Sequence, residues 1–177
     1  MVKLNLSSQI VLNKVPEEFY HPKTAVELSE LTRCEKLPTT IFPKTEEGAL
    51  SIATTIANAI RQKQQSGQYC VLGLGTGSSL TPVFNELIRL HKEEKLSFSN
   101  VVVFNAYEYF PLQPSAKNST LNQLKERLLN HIDINPQNVF TLEGTVPQER
   151  VQESCRLYEQ RIKTFGGIDI MLLGIGR

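Results

Sequence analysis

The stretch YCVLGLGTGSS, residues 69–79, contains the pattern that decides the fold. Its first six residues, YCVLGL, form a continuous apolar run of strand length. Such a run is typical of a strand that is buried on both faces, as in a parallel sheet covered by helices. Glycines and hydroxyl side chains follow at once, so the strand opens into a tight turn at the start of a helix. The stretch therefore predicts a central strand and a turn that can approach a ligand.

The flanking sequence repeats the alternation of strand and helix. Apolar runs predict further strands, and apolar residues at helical spacing predict helices between them. The alternation predicts an α/β fold: a three-layer, doubly wound, mostly parallel sheet of the Rossmann-like type. Residues 1–38 contain proline breaks and are predicted to be an N-terminal extension, whereas residues 39–177 form the α/β domain. The other predicted strands are 39–42, 101–104, 138–142 and 168–173; the helical stripes are 25–31, 50–60, 83–91, 121–128 and 151–162.

In such a sheet the ligand site lies beyond the carboxyl ends of the strands. Three segments are therefore expected to meet there, at 75–79, 105–110 and 174–177.

The composition excludes several classes of function. The 177 residues include 19 basic and 18 acidic side chains, so the net charge of +1 gives no reason to expect nucleic acid or a membrane surface as a partner. Three cysteines and three histidines lie far apart, which argues against a disulfide framework and against zinc. No metal or cofactor is expected, and the cytoplasm is the expected compartment.

The turn GLGTGSS has two interpretations. Backbone amides near a helix N-terminus, with hydroxyls beside them, bind phosphate. Neither a P-loop nor a dinucleotide fingerprint fits, since no lysine follows the glycines and the GxGxxG spacing fails. Alternatively, Ser78 or Ser79 simply caps the following helix. On spacing alone the two interpretations are about equally supported.

The segment FNAYEYF, residues 104–110, places one carboxylate among aromatic side chains. Glu108 is a candidate general acid or base. A glutamate that hydrogen-bonds a neighbouring loop is the alternative, and it is favoured for a single carboxylate. Tyr107 and Tyr109 are more often packing residues than acids.

Four segments in order resemble the glucosamine-6-phosphate deaminase (isomerase) family, and the likeness covers 39–177. They are VLGLGTGSS, VVVFNAYEYFPL, HIDINPQNV and YEQRIKTFGGIDIMLLGIG. The resemblance implies that the sugar ring is opened, the aldose is isomerised to a ketose and ammonia leaves C2. It also implies a sugar-phosphate ligand held by the glycine-serine turn, at Gly75, Thr76, Gly77, Ser78 and Ser79.

Two departures lower the activity expected of this chain. The family motif resembles F-N-x-D-E-Y, and its aspartate, which moves the proton between C1 and C2, corresponds to Tyr107. The family's next loop, which resembles G-H-I-G/A-F-N-E-P and serves ring opening, lies beyond GIGR at 174–177. We therefore expect a truncated domain that lacks the C-terminal part of the family fold, exposes apolar surface and self-associates or forms a homo-oligomer.

The sequence leaves open whether the chain is an enzyme. Deamination of glucosamine 6-phosphate, weak or absent, is the first hypothesis. A non-catalytic sugar-phosphate-binding protein and a truncated gene product are the alternatives. A 6-phosphogluconolactonase-like hydrolase ranks last, because FNAYEYF and GGIDIMLLGIG fit the deaminase branch better.

Overall fold

The computed structural model describes residues 23–33, 37 and 39–175, and the chain divides into two compact units, residues 1–48 and 49–177. In the first unit, helix α1 spans Ala25–Thr32 and confirms the predicted helix at 25–31. Thr24 and Glu27 form its capping box, each side chain bonding the other's backbone amide. Helix α2, Thr45–Gln65, begins in this unit and continues into the second. The prediction of an extension ending at residue 38 stays a prediction.

The predicted strand at 39–42 is wrong, because these residues have no strand conformation. An extended segment becomes a strand only when a neighbouring strand accepts and donates its backbone hydrogen bonds. No strand pairing of the described residues includes this segment.

The second unit contains four strands, β1 Cys70–Leu74, β2 Val101–Asn105, β3 Val139–Phe140 and β4 Ile170–Leu172. They form a parallel sheet with the order β3-β2-β1-β4. Strands β1 and β2 lie in the middle, and β4 pairs with β1 on the side opposite β2. The chain therefore winds one way from β1 to β3 and returns to the other side for β4, as a doubly wound sheet does. The remaining α-helices are α3 Thr81–Glu94, α4 Thr120–Arg127 and α5 Val151–Thr164.

Strand β1 is buried on both faces, as its sequence predicts. Leu72 and Leu74 belong to the larger apolar cluster, which includes side chains of α2, α3 and α4. Val71 belongs to a second cluster, against which Tyr158 and Ile162 of α5 pack. Because successive side chains of a strand point to opposite faces, this division places helices on both sides of the sheet. The predicted three-layer α/β fold is confirmed.

The two outer strands are shorter than predicted. Strand β3 has two residues rather than the five of 138–142, and β4 has three rather than the six of 168–173. Each pairs with only one neighbour among the described residues. Met171 and Leu173, at and after β4, are 47% and 59% exposed.

The described part of the chain contains no helix that is long and apolar enough to span a membrane.

Asp169 connects the entrance of β4 to β1 and to α2. Its carboxylate accepts a hydrogen bond from the Val71 amide at 2.9 Å and lies 2.7 Å from Lys63 Nζ. Burial disfavours ionisation of the carboxyl group, but the hydrogen bonds from Lys63 and Val71 outweigh it, so the pKa of Asp169 lies below its usual value.

We predict that Asp169→Asn lowers the free energy of unfolding by about 1 kcal/mol at pH 7. A carboxyl group whose pKa is depressed by folding stabilises the protein above the unfolded-state pKa, which is about 3.9 for aspartate, and this contribution is lost as the pH falls through the folded-state value. Urea unfolding at pH 7 and at about pH 2.5 checks this, and the difference in stability between the variant and the parent should be smaller at the acid pH. Glu159→Gln, an exposed change on α5, is the control and should leave stability unchanged at both values. An equal loss at both pH values would contradict the assignment.

Candidate functional site

Three segments meet at the carboxyl ends of the strands, as predicted. The Gly75 amide donates to the Leu172 carbonyl at 2.9 Å, and the Ala106 amide donates to the Leu74 carbonyl at 2.9 Å. A Cβ added at Gly174 would lie 2.7 Å from Ser79 Oγ, so the chain after β4 passes close to the turn after β1. Of the third segment, residues 176 and 177 lie outside the described residues.

The turn after β1 presents free backbone donors. Thr76 is only 3% exposed, whereas Ser78 and Ser79 are exposed. Between residues 39 and 175, no acceptor receives a hydrogen bond from the amides of 76–79, and neither serine hydroxyl has a partner. Four amides with two adjacent hydroxyls are the donor set that an anion requires.

The helix-cap interpretation of Ser78 and Ser79 is wrong. A 3₁₀ turn, Ser78–Leu80, precedes α3, so Leu80 occupies the N-cap position of α3. No side chain caps either the turn or the helix. Both hydroxyls are thus available to a ligand rather than used by the fold.

Tyr107 lies beside this turn. Its Cε1 is 3.5 Å from the position that a Cβ of Gly75 would occupy. Tyr107 is 40% exposed, and its ring contacts the Tyr109 ring edge-to-face, with a distance of 6.4 Å between the ring centroids. Tyr107, which the resemblance places at the family's aspartate position, therefore lies beside the turn at 75–79.

Glu108 points instead to the start of helix α4. One carboxylate oxygen accepts hydrogen bonds from the amides of Tyr109 and Thr120, both at 2.9 Å. The other accepts from Ser119 Oγ at 2.8 Å and from the Leu121 amide at 3.2 Å. This geometry confirms the alternative in which the glutamate hydrogen-bonds a neighbouring loop.

The four donors match the roughly four lone-pair sites of a carboxylate, so Glu108 has little capacity left for a substrate proton. Burial disfavours its ionisation, but the hydrogen bonds from Thr120, Tyr109, Ser119 and Leu121 prevail, and the pKa of Glu108 lies below its usual value. A role in proton transfer stays a prediction.

Sequence reasoning missed Arg127 at this site. Its Nη1 donates to the Thr76 carbonyl at 2.6 Å, across 51 positions of sequence. Arg127 stands in the last turn of α4, where a basic residue is ordinary, so no signal in the sequence marks it. Asn105, at the end of β2, donates to Thr120 Oγ1 at 2.8 Å, and Thr120 Oγ1 donates to the Tyr107 carbonyl. These bonds fix the backbone of the segment that carries Tyr107 and Glu108.

Residues 43–177 match the family model described as glucosamine-6-phosphate isomerases/6-phosphogluconolactonase. The chain belongs to this family. A glucosamine-6-phosphate deaminase-like protein of Bacteroides thetaiotaomicron is 58% identical over 99% of the chain. Glucosamine-6-phosphate deaminase 2 of Giardia intestinalis is 42% identical over 75% of the chain. The chain spans 26% of the first relative and 48% of the second.

The solved structures of the glucosamine-6-phosphate isomerase/6-phosphogluconolactonase family agree with this fold. A monomeric glucosamine-6-phosphate deaminase superposes with a TM-score of 0.69 at 36% identity, covering 75% of this chain and 53% of that one. The 6-phosphogluconolactonase of Thermotoga maritima gives a TM-score of 0.54 at 21% identity, covering 70% of this chain and 56% of that one. The second likeness shows the fold alone.

We predict that Glu108→Ala lowers the free energy of unfolding by about 1–2 kcal/mol, because it removes the acceptor for three donors at the start of α4. Chemical denaturation measures the loss, and hydrogen exchange should show weaker protection of α4 amides. Glu126→Ala, an exposed change on the same helix, is the control and should cost far less. Equal effects of the two substitutions would contradict the capping role of Glu108.

Proposed function

We propose that this chain binds glucosamine 6-phosphate and belongs functionally to the deaminase branch of its family. The observation that carries the proposal is the set of free amides at 76–79, which lies beside the Tyr107 ring. Relatives and a solved structure that are named as glucosamine-6-phosphate deaminases, at 36–58% identity, favour this sugar phosphate. The lactonase structures support only the fold, so a lactone substrate has no comparable support.

The phosphate monoester occupies the turn at 76–79 in this proposal. Backbone amides near a helix N-terminus stabilise a dianion, and binding breaks no hydrogen bond of the fold because these amides are already unpaired. Ser78 and Ser79 add two hydroxyl donors from the exposed side of the turn. The sugar then extends toward Tyr107, where the resemblance places the C1 and C2 atoms.

Proton transfer is the weak step in this proposal. The resemblance implies that an aspartate moves the proton between C1 and C2, and Tyr107 stands at that position. A phenol is a poor base at neutral pH. Glu108 is engaged with α4 through both of its oxygens. We therefore propose that binding exceeds catalysis in this chain, and a non-catalytic sugar-phosphate-binding role is the second candidate.

Assembly and location are proposals as well. Met171 in the outer strand β4 and Leu173 just after it expose apolar surface, which supports self-association or a homo-oligomer. A cytoplasmic location is consistent with a phosphorylated sugar ligand and stays a proposal.

We predict that Ser78→Ala weakens the binding of glucosamine 6-phosphate about tenfold, because one hydroxyl donor to the phosphate is lost. Isothermal titration calorimetry measures the dissociation constant. Ser51→Ala, an exposed change on α2, is the control and should leave it unchanged. Unaltered affinity in the Ser78 variant, or no binding by the parent protein, would remove the support for this site.

The enzymatic hypothesis is tested by joining residues 39–177 to the C-terminal half of a matched deaminase. Tyr107→Asp in that chimera is expected to raise the rate of ammonia release by about 10²–10⁴, the usual contribution of general acid–base catalysis. Tyr109→Asp is the matched control and should give no gain. If the chimera with Tyr107 intact releases ammonia as fast as its Asp version, another group carries the proton and the proposed weak step is refuted.

A further inference from the structure

Helix α4 connects the two loops of the candidate site. At its start, Glu108 accepts hydrogen bonds from Ser119, Thr120 and Leu121. At its end, Arg127 donates to the carbonyl of Thr76 at 2.6 Å. Seven residue steps separate Thr120 from Arg127, which corresponds to about 10 Å along a helix. One short helix thus ties the segment after β2 to the turn after β1.

The bond from Arg127 orients a peptide group of the turn. The Thr76 carbonyl and the Gly77 amide belong to one planar trans peptide unit, so they point in opposite directions. When Arg127 holds the carbonyl, it also holds the Gly77 N–H pointing away from α4. That amide is one of the donors left unpaired in the turn.

Arg127 also carries a charge that no carboxylate of the described residues offsets through an ion pair. It forms no ion pair with any described residue, whereas Arg89 pairs with three glutamates and Arg150 pairs with Glu153. The residue is only partly exposed, and one of the five N–H groups of its guanidinium is used, in the bond to Thr76. A partly buried cation beside unpaired amides favours an anion at the turn.

We propose that Arg127 is a positioning residue for the phosphate monoester: it fixes the Thr76–Gly77 peptide so that the Gly77 amide faces the anion, and it adds an uncompensated positive charge behind the turn. This inference rests on the proposed function. It differs from a purely structural role, in which Arg127 would only stabilise the C-terminal end of α4.

The test titrates the protein with inorganic phosphate and with glucosamine 6-phosphate while ¹H–¹⁵N spectra follow the amides of Gly77, Ser78 and Ser79. Arg127→Gln is expected to weaken the binding of both ligands about tenfold, as the loss of a charge-assisted contribution would. It should also shift the Gly77 amide resonance before any ligand is added. Arg127→Lys keeps the positive charge but lacks the planar guanidinium group, so its affinity should lie between those of Arg127→Gln and the parent.

The salt dependence of binding separates positioning of an anion from stabilisation of the helix. Screening by salt weakens a contribution from charge, so the affinity of Arg127→Gln for phosphate should fall less steeply with ionic strength than that of the parent and of Arg127→Lys. Lys125→Gln, an exposed change on the same helix, is the control and should alter neither affinity nor the Gly77 resonance. If Arg127→Gln is unfolded, the comparison of Arg127→Lys with the parent still measures how the planar guanidinium group affects the affinity and the Gly77 resonance.

The outcomes distinguish this inference from the proposed function. In one outcome, phosphate shifts the turn amides of the parent and binds equally well to Arg127→Gln and Arg127→Lys. This result overturns the role of Arg127 but leaves the phosphate site intact. No shift of the turn amides in the parent, with either ligand, overturns the site itself and the inference with it.

Discussion

The burial of β1 on both faces is the constraint on which the rest of the structure depends. Leu72 and Leu74 pack into one apolar cluster and Val71 into the other, so the sheet needs helices on both sides. Neighbouring strands on both edges of β1 satisfy its backbone groups. A strand held in this way directs the next residues out of the sheet at one defined point. The position of the turn at 75–79 follows from that burial rather than from the turn's own contacts, which are few.

The same constraint explains which strands could be predicted. Strands β1 and β2 begin and end within one residue of the predicted 69–74 and 101–104, because both are buried on two faces and their apolar runs report that burial directly. The outer strands at 138–142 and 168–173 were predicted too long. Their extent depends on how far one neighbour offers hydrogen bonds, and hydrophobicity does not encode that length. The segment 39–42, Thr-Thr-Ile-Phe, shows the extreme case: its β-branched and aromatic residues favour a strand, but it pairs with no strand of the described residues and forms none.

The candidate site was predictable to the extent that it is local. The turn at 75–79 could be identified from its glycines and hydroxyls, because a chain that needs a tight turn and exposed amides has few other residues to use. The bond between Arg127 and Thr76 could not, since it depends on the packing of α4 across the sheet end. The sequence allows two roles for Glu108, and only the position of the α4 N-terminus, twelve residues later in the chain, distinguishes them.

The side chains of Tyr107 and Glu108 point in opposite directions, so the Glu108 carboxylate does not occupy the place of the Tyr107 side chain beside the turn. Side chains one position apart on an extended segment point to opposite faces. Here the Tyr107 ring lies against the turn at Gly75, and the Glu108 carboxylate lies against the start of α4. A carboxylate moved toward the turn would leave three donors of Ser119, Thr120 and Leu121 without their acceptor, at a cost of about 1–3 kcal/mol for each buried donor that finds no water. The glutamate therefore serves the architecture that supports both loops, because its two oxygens hold the start of α4 rather than lie beside the turn.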